Sequence, residues 1–349
     1  MPTPIIATIK PFYQELKPGQ KILWCSCGRS KRQPFCDGRS HIGTGLEPVL
    51  YQAKQDEEVL LCGCKHSGTA PFCDGTHSNL PGGYVDETEA VAAATLPAVV
   101  APDTQGFARL DGRCYVVSPG FSVADRATDY RLRPLVTPAL GAAHQSQFYL
   151  ELDRGASPVF TADGDVVIWL SHGEGNAIIG GRNFPFSGGC GVHVVAGETF
   201  RLEGQNIAAY VSVCPAVETL ETVDAIIDGF DESMADRLGL IDKAARSAMG
   251  PRYFQILLDD HHGLDNSALF IGHIPMSKAE MHRHLYEEAL IILSGEGMIW
   301  NENARAKVCA GDVIFFPRKH IHSLQALSPE GMDVVGFIHP GTNPGINYY

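Results

Sequence analysis

Six cysteines and two histidines within the first 80 residues fall into two copies of one phrase. The first copy runs Cys25-Ser-Cys27, then Pro34-Phe-Cys36-Asp-Gly, and closes on His41; the second runs Cys62-Gly-Cys64, then Pro71-Phe-Cys73-Asp-Gly-Thr, and closes on His77. Thiolates are the soft ligands that iron–sulfur clusters and zinc require, and an imidazole replacing one thiolate raises a cluster's potential and can take a proton. A second concentration of donors lies near the other end, in His282-Arg-His284-Leu-Tyr-Glu-Glu288 and in Pro317-Arg-Lys-His320-Ile-His322. The spacing His-x-His puts two imidazoles on one face of a strand, because strand side chains alternate with period two.

The repeated cysteine phrase resembles the CDGSH iron–sulfur family. That resemblance implies a [2Fe–2S] cluster held by Cys62, Cys64, Cys73 and His77, and a second held by Cys25, Cys27, Cys36 and His41. In the first copy Arg39 is extra before Ser40, so the histidine falls five residues after its cysteine rather than four. Tandem copies imply an internal pseudo-dimer of a small β-rich fold. A zinc knuckle and a disulfide framework are the alternatives for the same residues. The N-terminal segment has no apolar core with a cleavage site, which points away from secretion and toward a cytoplasmic, reducing location.

The C-terminal segment resembles both halves of the cupin signature. The resemblance implies one divalent metal held by His282, His284, Glu288 and His322, with iron favoured and manganese, nickel or zinc compatible. Lys319 stands where that family usually has glycine, and His320 offers a competing imidazole. Glu287, Tyr286 and His320 are the candidates for supporting or proton-transfer roles around the metal. Counting back from a shared Leu-Ser pair, at Leu170-Ser171 and Leu293-Ser294, sets Val159, Thr161 and Asp165 opposite His282, His284 and Glu288, with Phe200 opposite His322. The first copy of the scaffold is therefore expected to hold no metal. Cys114, Cys190, Cys214 and Cys309 stand alone in sequence and are expected to be small buried apolar residues.

The elements that must position these groups read as mainly β. Gly (37) and Pro (22) are abundant among 349 residues, and short apolar runs such as Phe148–Leu152, Val166–Leu170, Ala289–Leu293 and Val313–Phe316 alternate with glycine-bearing turns. The expected organisation is a tandem CDGSH module over 1–80, a linker over 81–105, a first cupin β-barrel over 106–216, a helical connector over 217–250, and a second cupin β-barrel over 251–349. Leu220, Val223, Ile227, Phe230, Met234, Leu238 and Ile241, at helical spacing, suggest the connector.

Net charge is −13. Residues 1–80 hold 9 Lys/Arg against 7 Asp/Glu, leaving 18 against 33 in the rest, so clustered phosphate contacts, and hence nucleic acid, are not expected. No apolar run is long enough to span a membrane. A one-electron carrier fused to a mononuclear metal site suggests, by analogy with Rieske oxygenases, an oxidoreductase. Its expected partners are a small organic substrate, dioxygen and an external reductase or ferredoxin, with the cupin units forming a homo-oligomer. Two other readings are a metal-dependent isomerase, lyase or aminohydrolase with a regulatory cluster module, and a redox- or iron-sensing binding protein.

Overall fold

The computed structural model describes residues 2–120, 129–264 and 266–348. Among them the secondary structure is almost entirely strand, with one six-residue α-helix, Thr88–Ala93. No helix is long and apolar enough to cross a membrane.

The N-terminal module is built from two antiparallel pairs, Phe12–Leu16 with Glu57–Leu61 and Lys21–Trp24 with Val49–Gln52. Leu16, Ile22, Trp24 and Leu61 form its small core. In each copy the strand end is tied to the cysteine loop in the same way: the Cys36 N–H donates to the Leu23 carbonyl and the Cys73 N–H to the Leu60 carbonyl.

The C-terminal unit is two facing sheets. One has eight strands in the order Ser247–Met249, Arg252–Leu258, Ala268–Ile274, Met332–His339, Glu287–Ser294, Val313–Phe316, Tyr115–Val117, Phe107–Arg109. The other has four: Ser323–Ala326, Glu296–Trp300, Ala304–Cys309 and Ala98–Val100. The run Ala289-Leu-Ile-Ile292 is apolar at every position because both faces of the larger sheet are covered. Leu290, Ile292, Ile314 and Phe316 face Ile299, Ala306 and Leu324 across the unit's own core. Ala289, Ile291, Val313 and Phe315 face the other way, onto Val167, Trp169 and Tyr210 of the first unit. Each large side chain so buried contributes about 1.5–3 kcal/mol.

The first unit is one nine-stranded sheet folded over its core along two long strands, Asp165–Ile179 and Thr199–Cys214. Bulges after Leu170 and His172 bend this pair. The sheets of both units face one another without closing into barrels.

Three expected boundaries change. Residues 217–250 carry no α-helix: Glu221–Val223 pairs with Val159–Thr161, Leu238–Gly239 pairs with Cys190–Val194, and Asp231 and Asp242 cap single 3-10 turns by accepting from the Ser233 and Ala244 N–H groups. Their backbone groups are satisfied by sheet edges and turns, and Ile227, at 64% exposure, has no apolar face to join. Residues 81–105 are not a free linker, since Ala98–Val100 lies parallel to Ala304–Cys309. The strands at 107–109 and 115–117, expected in the first unit, extend the second unit's sheet. Of the isolated cysteines, Cys114 and Cys190 are buried as expected, whereas Cys214 is half-buried and Cys309 is exposed.

Over the donor positions the two units are related by one sequence offset, and it differs by one residue from the Leu-Ser count. Phe160 pairs with Phe200 where His282 pairs with His322, and Asp165 opens its strand where Glu287 opens the corresponding one. The counterparts of His282, His284, Glu288 and His322 are thus Phe160, Ala162, Val166 and Phe200, all in the first unit's apolar core. The Leu-Ser anchor misleads because the bulge skips Ser171 in one strand and Leu293 in the other.

Glu287 holds the units together. Its buried carboxylate accepts N–H bonds from Ala143 (2.9 Å), His144 (3.1 Å) and Gln145 (3.1 Å) of the first unit. Glu287→Ala leaves three donors unpaired in the interface and is expected to lower stability by about 3 kcal/mol, with Glu287→Gln losing less. Urea unfolding checks this, and a loss below about 1 kcal/mol would rule out a clamping role.

Candidate metal centres

In the second copy Cys62 and Cys64 Sγ lie 3.5 Å apart, and Cys73 Sγ lies 3.3 Å from His77 Nδ1. In the first, Cys25 and Cys27 Sγ are 3.7 Å apart, and Cys36 Sγ is 3.4 Å from His41 Nδ1. The extra Arg39 is therefore absorbed in the turns of 39–45, and His41 reaches its cysteine as His77 does. Asp37 and Asp74 hold the two loops alike, Asp37 accepting from the N–H of Lys31 and Arg39, Asp74 from that of Gly68 and Thr76.

The donors thus come as two close pairs per site. On a single tetrahedral ion with metal–sulfur bonds of about 2.3 Å, all four would stand roughly 3.8 Å apart. Two close pairs of donors in each loop suit the iron–sulfur cluster that the motif implies. Within the bare pair the hydrogen bond from Cys64 pulls Cys62 down to about 6 and pushes Cys64 up, while burial raises Cys73 to about 12.

Lys65, which the motif reading passed over, is buried (6% exposed) in a left-handed backbone conformation, φ 68°. Its Nζ donates to the Cys62 carbonyl at 3.0 Å and lies 4.5 Å from the centre of the Trp24 ring. Desolvation lowers its pKa, and the thiols of Cys25, Cys62, Cys64 and Cys27 oppose that shift. One buried cation thus serves both cysteine sets.

At the other end His282, His284, Glu288 and His322 are buried and converge on one face of the C-terminal core. Each histidine donates Nδ1–H to a backbone carbonyl: His282 to Glu280 (2.8 Å), His284 to Tyr286 (2.7 Å), His322 to His320 (2.9 Å). That fixes the tautomer and leaves every Nε2 as a lone pair. His284 Nε2 has no hydrogen-bond partner yet lies 3.2 Å from a Glu288 oxygen, an arrangement of two acceptors that a cation between them satisfies. Burial lowers His282 to about 3 and His322 further, keeping both neutral. The ring centres of His282 and His284 lie 4.6 and 4.8 Å from that of His322, and an ion held by all four groups would draw them inward. At Gly336 a Cβ would come 2.2 Å from the Phe270 ring and 3.1 Å from Glu288 Oε1, so only glycine leaves this carboxylate its place.

A cavity of about 90 Å³ covers the four donors, walled by Phe254, Phe270, Leu290, Phe316 and Val334. Of the expected supporting residues, Tyr286 stacks on His284 at 3.9 Å and donates to the Pro344 carbonyl, which orients that ligand. Glu287 and His320 are corrections. Strand alternation turns Glu287 away from the cavity, and His320 Nε2 is tied to Asp111 at 2.6 Å beside a separate surface hollow.

The second copy docks on the rim of this unit. Glu58 pairs with Arg318 at 3.0 Å and with Lys319, Tyr13 stacks on Tyr348, and Asn343 donates to the Asp74 carbonyl. Cys73 packs in the same apolar cluster as Tyr348 and Leu285. Lys319 adopts φ 62°, the conformation that suits glycine, and its ammonium is held by Glu58 and Tyr13. Between the two sites lies a small cavity of about 30 Å³ lined by both His77 and His282.

Two outcomes are expected. Full-length protein should carry four irons and four acid-labile sulfides in its clusters, and His282→Ala or His284→Ala should abolish cupin metal in elemental analysis while leaving the cluster absorption intact. Lys65→Met should lower the reduction potential of both clusters by tens of millivolts, because a buried positive charge favours the more negative reduced state; Lys65→Arg should retain most of it. Unchanged potentials in a spectroelectrochemical titration would reject this role.

The family profile described as a cupin domain matches residues 274–337, and that described as an iron-binding zinc finger of CDGSH type matches residues 46–78. The chain is similar to the mitochondrial CDGSH iron–sulfur domain-containing protein 3 of Mus musculus, 52% identical over 48 residues, and of Homo sapiens, 51% over 47. These matches take in 13% of this chain and 34% and 36% of the relatives, so the chain spans about a third of their length. In structure it is similar to the coconut allergen cocosin (TM-score 0.52, 11% identity) and to procruciferin, an 11S globulin of Brassica napus (0.51, 11%). Each likeness covers 66% of this chain and 86% of the other, and shows the fold alone. The chain joins an iron-binding CDGSH segment to a cupin fold.

Proposed function

We propose that this chain is an oxidoreductase in which the metal of the second cupin unit is the reaction centre and the CDGSH clusters supply its electrons. An external reductase or ferredoxin would charge the clusters, and a small organic molecule and dioxygen would meet in the apolar cavity. The observation that carries this reading is the small cavity lined by His77 from one donor set and His282 from the other. Electron transfer within one chain needs its centres close, and fusion holds the donor at high effective concentration.

A divalent metal bound there would supply Lewis acidity and one-electron chemistry. The protein's own part is positional. Carbonyls fix the three imidazoles, Tyr286 holds the plane of His284, and the phenylalanine walls exclude water from whatever lies over Nε2. Docking through Glu58, Arg318 and Lys319 keeps the second cluster site against this pocket rather than tethered at a distance.

The test uses full-length protein reduced with dithionite and mixed with dioxygen, following cluster reoxidation by stopped flow. Metal-loaded wild type is expected to reoxidise at least about ten-fold faster than the His282→Ala/His284→Ala double variant, a barrier difference of about 1.4 kcal/mol. Equal rates would remove electron supply from the function and leave a metal-dependent enzyme with a regulatory cluster module.

A further inference from the structure

Arg252 opens the strand Arg252–Leu258, whose alternation sets it on the same inward face as Phe254. It is 8% exposed and lines both the metal cavity and the small cavity beside it. Its Nε has no hydrogen-bond partner, its Nη2 reaches the Leu324 carbonyl only at 3.4 Å, and its guanidinium lies 5.5 Å from the Tyr84 ring. Among the described residues no carboxylate stands within ion-pair distance of it. Asp86 feels its charge, but the Asp86 Oδ1 already accepts from Thr88 and Lys278.

A buried guanidinium without a counter-ion is costly, because it has lost its water and gained no anion. The other groups around this cavity do not supply one. Glu288 faces His284 at 3.2 Å, and Glu280, which lines the small cavity, is paired with Lys10 at 3.5 Å. With a divalent ion in place the cavity would be more positive still. The rest of its lining is mostly apolar, with Phe254, Phe270, Leu290 and Phe316 joined by the polar Tyr253 and Asn347, and its volume of about 90 Å³ admits only a small molecule.

We propose that Arg252 is the recognition residue for the substrate's carboxylate, and that the substrate is a small carboxylic acid with an apolar body. The guanidinium fork takes the two carboxylate oxygens, the aromatic walls take the hydrocarbon part, and the metal donors lie on the same cavity. This rests on the cupin cavity being the substrate site, not on the clusters supplying its electrons.

The test is calorimetric binding to full-length, metal-loaded protein, with propionate and its neutral isostere propionamide as probes. Propionate is expected to bind wild type at least about ten-fold more tightly than propionamide. Arg252→Gln should erase that preference, with metal content and cluster absorption as checks on folding, and Arg252→Lys should retain part of it because charge remains without the fork. If Arg252→Gln does not fold, the loss in Arg252→Lys alone decides. Equal affinity for the two probes, no propionate binding up to about 100 mM, or undiminished propionate binding in the arginine variants would each overturn the assignment. Binding lost only in His282→Ala/His284→Ala would assign the carboxylate to the metal and overturn it as well. None of these measurements involves cluster reoxidation, so they stand apart from the test of electron supply.

Discussion

In the C-terminal half Glu288 sits on a sheet that is buried on both sides, His282 and His284 lead into its strand Glu287–Ser294, and His322 leads into Ser323–Ala326 of the facing sheet. Strand alternation sends Leu290, Ile292, Ile314 and Phe316 into the unit's own core and Ala289, Ile291, Val313 and Phe315 against the first unit. A one-residue slip in register would exchange these faces, turning Glu288 out of the cavity and Glu287 into it. Burial on two sides therefore makes register expensive to change, and it is register that turns Glu288 toward the three imidazoles. The Glu287 carboxylate on the outer face and the Glu288 carboxylate on the inner face are adjacent in sequence and do unrelated jobs for that reason.

The duplicated scaffold shows what the metal site replaces. At the corresponding positions the first unit has Phe160, Ala162, Val166 and Phe200, and the two phenylalanine rings lie 5.6 Å apart in a closed core. Filling those positions gains apolar burial and needs no ion. The second unit keeps three imidazoles and a carboxylate in the same places, so its core is polar and hollow there, and its stability depends on what fills it. The first unit supports the second through the shared interface, where the 143–145 backbone donates to Glu287.

The N-terminal module is attached to the metal-bearing unit by charge and shape together. Lys319 occupies a left-handed position at which glycine is the unstrained residue, a strain of order 1 kcal/mol. Its contacts with Glu58 and Tyr13, beside the Arg318 pair, give that side chain a role that glycine could not fill. The same docking buries Cys73 and sets His77 beside the cavity of His282. The second copy of the cysteine motif is thus the one built into the interface, and there Lys65 donates its backbone N–H to Cys62 Sγ and its ammonium to the Cys62 carbonyl.

The sequence by itself determined the donor types, their spacing within each loop and the mainly β character, because thiolate spacing and the period-two pattern are local properties of the chain. The extra Arg39 of the first copy leaves His41 beside Cys36, because a turn absorbs it. Helical spacing in 217–250 misled, because backbone partners offered by sheet edges outweigh a weak local preference. The offset between the units was misjudged by one residue, because a bulge is invisible to counting. Only the tertiary structure showed that strands 98–100, 107–109 and 115–117 belong to the second unit, that Glu287 and His320 face away from the cavity, and that His77 and His282 line one small cavity. Arg252 gave one faint signal, a charge on an apolar stripe, and its lack of a counter-ion became visible only when distant strands closed around it. Pairings across a hundred or more residues follow from which faces can be buried together, and no window of sequence contains that information.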